Sequence, residues 1–107
     1  MLTNLRRSTR VPLRLSITTL GLPERTTCEG ETVTVNLHGA LIHTALPFTV
    51  GQKIELEVII TGKKAEAEVV WSDPEKPLTY GIGFAKPQNI WGVALPPEDW
   101  GCYQDDR

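Results

Sequence analysis

Arg6, Arg7, Arg10 and Arg14 all fall within residues 1–14, a stretch with no acidic residue and a local charge of +4. A guanidinium is a planar fork of donors. It can bridge phosphate oxygens or pair with guanine O6 and N7, and its plane can stack on a base. Lysine would bring charge without the fork. The far end has the opposite sign: residues 96–107 hold Glu98, Asp99, Asp105 and Asp106 against Arg107, a local −3. The whole chain is net −2 with a pI near 5.6. That argues against a nucleic-acid polymer as partner, which requires a broad basic face. A compact basic arm suits a small anionic ligand.

The other reactive side chains form no recognised constellation. His38 and His43 stand five apart and match no metal-ligand spacing, so no metal is expected. Cys28 and Cys102 lack CxxC spacing and are expected to be reduced thiols. Glu55 with Glu57, and Glu66 with Glu68, alternate with apolar residues as solvated outer faces do. Neither a glycine-rich phosphate loop nor a nucleophile turn with its histidine and acid is present, so no enzyme and no cofactor are expected. Asn36 and Gly39 by themselves suit a turn.

The elements that must carry these residues are strands. At 107 residues, 40% hydrophobic and 22% charged, the chain has the size and composition of one folded domain. No apolar run approaches the roughly 18 residues of a membrane-spanning helix. Residues 1–7 lead into charge rather than an apolar stretch, so no signal peptide and a cytoplasmic location are expected. Period-2 alternation predicts strands through Leu13, Leu15 and Ile17; Val33 and Val35; and Ala40 to Ile42. It continues through Ile54, Leu56 and Val58, finishing with Ile59 and Ile60; then Ala65, Ala67, Val69 and Trp71; then Tyr80, Ile82 and Phe84. Thr61-Gly62-Lys63 reads as a hairpin turn. No segment has a sustained helical period, so the fold class is all-β, a six-stranded antiparallel barrel. Trp71, Trp91, Trp100, Tyr80 and Phe84 read as core or docking residues rather than as ligand platforms.

With these strands in place, the sequence resembles the PilZ family over most of its length. Arg6-Arg7-Ser8-Thr9-Arg10, followed by Val11-Pro12-Leu13, fits that family's RxxxR arm before the first strand. Thr34-Val35-Asn36-Leu37-His38-Gly39, followed by Ala40-Leu41-Ile42, is similar to its (D/N)xSxxG motif. Aligned on Gly39, Thr34 takes the Asp/Asn position and Asn36 the serine position. Aligned on Asn36, His38 takes the serine position. The ungapped version keeps Thr34 and Asn36 on one strand face; neither supplies the serine. Gly51, Ala65 to Trp71 and Tyr80-Gly81-Ile82-Gly83-Phe84 resemble later PilZ strands.

The resemblance implies a PilZ-type barrel and a receptor role toward cyclic di-GMP in bacterial second-messenger signalling. The ligand-binding set it implies is Arg6, Arg7, Arg10, Thr34, Asn36, His38 and Gly39. Arg6 and Arg10 would clamp the ligand, Arg7 would add a phosphate contact, and Thr34 and Asn36 would fix a guanine edge. The expected layout is a basic arm over 1–10, a barrel over 11–86 and an aromatic, proline-rich extension over 87–107. Ile90, Trp91, Val93, Leu95 and Trp100 of that extension are too apolar to dangle and should pack on the barrel or on a second copy. Two alternatives remain. One is a PilZ-like module that binds a protein partner, or forms a homodimer, without nucleotide. The other is a barrel binding single-stranded nucleic acid, disfavoured by the acids on the strands.

Overall fold

The computed structural model describes residues 9–103, with side chains described through Trp100. Its strands are β1 (Val11–Pro12), β2 (Ser16–Gly21), β3 (Thr26–Asn36), β4 (Gly39–Thr44), β5 (Lys53–Val58), β6 (Lys64–Ser72) and β7 (Thr79–Phe84). A 3₁₀ helix covers Glu98–Tyr103. The strands pair antiparallel in the order β3-β2-β5-β6-β7-β4, and β4 pairs back onto β3. Six strands therefore close into a barrel, which leaves no free edge among them, while β1 pairs with the end of β3 beyond β2, on the edge opposite β4. Alternation does the sorting. Ile54, Leu56 and Val58, with Tyr80, Ile82 and Phe84, turn inward to meet Ile17, Val35, Ile42 and Val69. Each such apolar side chain contributes about 1.5–3 kcal/mol by leaving water.

Several segments depart from the sequence expectation. The stretch read as one strand through Leu13 and Leu15 is interrupted between β1 and β2. There, Leu13 N–H bonds the Val33 carbonyl, and Leu15 N–H bonds the Thr32 hydroxyl. β3 is longer than Val33 and Val35 suggest, because it pairs with β2 from Thr26 to Glu31 and continues to β4. A register shift between Thr32 and Thr34 sends Val33 outward and buries Thr32. That buried hydroxyl is satisfied by the Leu13 carbonyl and the Leu15 N–H. Ile59 and Ile60 do not extend β5; they lie in the turn and are exposed, because Val58 already closes the hairpin with Lys63 and Gly62. Trp71 does not continue the inward row of Ala65, Ala67 and Val69. A second register shift, between Val69 and Trp71, leaves both Val70 and Trp71 on the outer face.

The extension folds back. Ile90, Trp91 and Trp100 are buried and Val93 packs against the core, whereas Leu95 is 93% exposed and does not pack as expected. Trp91 stacks on Phe84 with ring centroids 5.7 Å apart, and its indole N–H donates to the Asn36 carbonyl at 2.9 Å. Among the described residues, no helix is long and apolar enough to cross a membrane.

Candidate functional site

Over Gly81 and Gly83 the outer face of β7 is bare backbone. Tyr80, Ile82 and Phe84 point into the barrel, so the intervening outward positions are Gly81 and Gly83. β7 thus becomes the floor of a trough. On one side the bulge in β6 raises Val70 and Trp71, 57% and 46% exposed, into a wall. A Cβ added to Gly81 would lie 3.3 Å from the Trp71 Cβ and 3.7 Å from its Cε3, so the indole rests against the glycine backbone. The opposite side is built by β3 and β4, where Thr34 pairs with Leu41 and Asn36 with Gly39. Arg10, immediately before β1, stands at this side, since Val11 and Pro12 pair with Val35 and Thr34.

The result is a cavity of about 500 Å³ whose mostly apolar lining also includes Arg10, Thr34, Asn36, His38, Gly39 and Trp71. That volume falls within the roughly 300–1,000 Å³ of small-molecule sites. The motif backbone is held from beneath. Asn36 Oδ1 accepts the His38 N–H at 2.8 Å, an Asx turn that shapes the two-residue link into β4. The Phe84 N–H donates to the His38 carbonyl at 2.8 Å, and the Gln88 N–H donates to the Leu37 carbonyl at 2.8 Å. Gly39 is required by close approach: a Cβ there would collide with the Ile82 carbonyl oxygen and reach 2.9 Å from its carbonyl carbon.

Five of the seven residues singled out in the sequence, Arg10, Thr34, Asn36, His38 and Gly39, line this one cavity. Arg6 and Arg7 lie outside the described residues. Sequence reasoning read Trp71 as a core or docking residue and gave Leu41, Val70 and Gly81 no site role, yet all four line the cavity. The signal for them was present in the Gly81/Gly83 pair, which strips one strand face, and in the Val69-Val70-Trp71 run, which breaks the alternation.

Electrostatics separate the arginines. Among the described residues no carboxylate lines the cavity, and Arg10 is exposed at it. Arg14 instead turns to β3, where its Nε and Nη2 donate to the Glu31 carboxylate at 2.9 and 3.3 Å. That hydrogen bond holds the Glu31 carboxyl below the usual carboxylate range and raises the Arg14 guanidinium. His43 lies away from the cavity, its Nδ1 3.1 Å from the Thr79 hydroxyl. Among the described residues, no group of three His, Cys, Asp or Glu could hold a metal ion. The cavity offers an anion-binding fork, hydrogen-bonding side chains and an aromatic face. The family model described as PilZ domain matches residues 4–90. No curated protein matches the chain.

Proposed function

The chain belongs to the PilZ domain family, and from that premise we propose that it is a non-enzymatic receptor domain for cyclic di-GMP. The observation carrying this reading is the convergence of Arg10, Thr34, Asn36, His38 and Gly39 on one cavity faced by the Trp71 indole. Cyclic di-GMP has two phosphates and two guanines, and the site has a chemical counterpart for each. Arg10 supplies the fork that bridges phosphate or a guanine edge, and Arg6 is its partner in the RxxxR arm. Thr34 and Asn36 take the polar-pair positions of the second motif. Trp71 adds a π-face, and stacking on such a face is worth about 1–3 kcal/mol per base.

A second reading is a partner-binding module without nucleotide. Leu41, Val70 and Trp71 support it as an apolar flank of the same cavity, and the (D/N)xSxxG serine is absent. Calorimetric titration of the full chain with cyclic di-GMP separates the two. Arg10→Ala should weaken binding about tenfold or more, because a charge-assisted hydrogen bond is worth about 1.5–3 kcal/mol. Arg10→Lys should recover only part, and Thr34→Ala should lose less. A wild-type protein giving neither heat nor a melting shift at saturating ligand would refute the receptor reading and leave the partner-binding one.

A further inference from the structure

The residue before Arg10 is held from the other end of the chain. Thr9 Oγ1 donates to Asp99 Oδ2 at 2.8 Å, and the Trp100 indole N–H donates to the Thr9 carbonyl at 2.7 Å. These partners are 90 and 91 positions away in sequence. Trp100 is fully buried, and its backbone N–H closes the 3₁₀ turn on the Pro97 carbonyl at 3.0 Å, so the donor it offers Thr9 is rigidly mounted. The second carboxylate oxygen, Asp99 Oδ1, is buried with no hydrogen-bond partner among the described residues. The hydroxyl and the backbone carbonyl of Thr9 are thereby both engaged. One peptide unit further on, Arg10 stands at the cavity.

We infer that the Asp99–Trp100 end of the chain is a latch on the root of the arginine arm, holding Thr9 and through it setting where Arg10 stands at the cavity. Asp99 and Trp100 are positioning residues: neither is among the residues that line the cavity. Their effect is preorganisation, since an arm root already held loses less conformational freedom when a ligand engages Arg10. The ligand side of this inference rests on the cyclic di-GMP reading; the latch itself does not.

Two readouts on the full chain test it. In the ligand-free protein, trypsin cleavage after Arg10 is followed by mass as the fragment beginning at Val11. In parallel, cyclic di-GMP affinity is measured by calorimetry. Thr9→Val and Asp99→Ala each delete one side of the same hydrogen bond, and both should speed cleavage and weaken affinity about three- to tenfold. The double variant should be no worse than either single, because one contact is shared. Asp99→Asn keeps an acceptor for the Thr9 hydroxyl and should restore near wild-type behaviour. Trp100→Phe, which lacks the indole N–H, should act in the same direction as Asp99→Ala. Wild-type cleavage and affinity in Thr9→Val and Asp99→Ala would overturn the latch. So would additive losses, or Asp99→Asn as impaired as Asp99→Ala. Faster cleavage with unchanged affinity would overturn the positioning role. If the wild-type chain binds no cyclic di-GMP, the receptor reading falls and the latch is decided by cleavage alone.

Discussion

Replacing Trp71 with alanine removes an indole that is 46% exposed, rests against Gly81 and faces the cavity. A fully buried tryptophan hides about 150–250 Å², so this one hides on the order of 100 Å². At about 25 cal/mol per Å², the loss of burial is at most about 2–3 kcal/mol. The gap opens to solvent and leaves no internal void, so the expected destabilisation is about 1–2 kcal/mol. Trp91 is the matched control. It is 1% exposed, stacks on Phe84 and donates to the Asn36 carbonyl. Trp91→Ala leaves a cavity and an unmatched carbonyl, and should cost about 3–5 kcal/mol. With about 4–8 °C lost per kcal/mol in a domain of this size, Trp71→Ala should melt about 4–16 °C lower and Trp91→Ala about 12–40 °C lower. Binding should move the other way for Trp71: a lost stacking platform weakens cyclic di-GMP affinity about tenfold, with Trp71→Phe intermediate. Thermal melts and calorimetric titrations on the three proteins provide the check. Trp71→Ala melting as low as Trp91→Ala would place the indole in the core and refute the outward reading. Wild-type affinity in a folded Trp71→Ala would remove it from the site.

Gly39→Ala should destabilise the fold by about 1–3 kcal/mol, read from denaturant unfolding, because the new methyl group meets the Ile82 backbone rather than a side chain that can move aside. Deleting residues 88–107 should lower the melting temperature sharply, since Ile90, Trp91 and Trp100 are buried; an unchanged melt would show that the extension is not structural. The Arg14–Glu31 pair gives a pH test. Arg14 holds the Glu31 carboxyl below its unfolded value, so the stabilisation is present above the ordinary carboxylate range and is lost as pH falls through the depressed value. Both groups are solvent-exposed, so Arg14→Ala should raise the Glu31 titration midpoint seen by NMR while leaving the melting temperature at neutral pH nearly unchanged.

The inward rows Ile54-Leu56-Val58 and Tyr80-Ile82-Phe84, and with them the all-β class, follow from the sequence alone. A strand's side chains alternate by local geometry, so composition at every second position already states which face is buried. Thr34, Asn36, His38 and Gly39 were legible only through the resemblance to the PilZ second motif, which is contiguous in the chain: they sit within six residues at the end of one strand and the start of the next. Tertiary structure decided the exceptions. Whether Val33 or Thr32 enters the core, and whether Trp71 does, depends on register against β4 and β7, and a one-residue slip flips every following side chain. Arg14 belongs to the acid-free basic stretch 1–14 by sequence but to Glu31 by pairing, because the chain crosses from β1 to β2 beside β3. The hold on Thr9 joins groups about 90 residues apart. Such pairings leave no periodic trace in the chain, because they exist only once the fold has brought Thr9 and the 3₁₀ turn together.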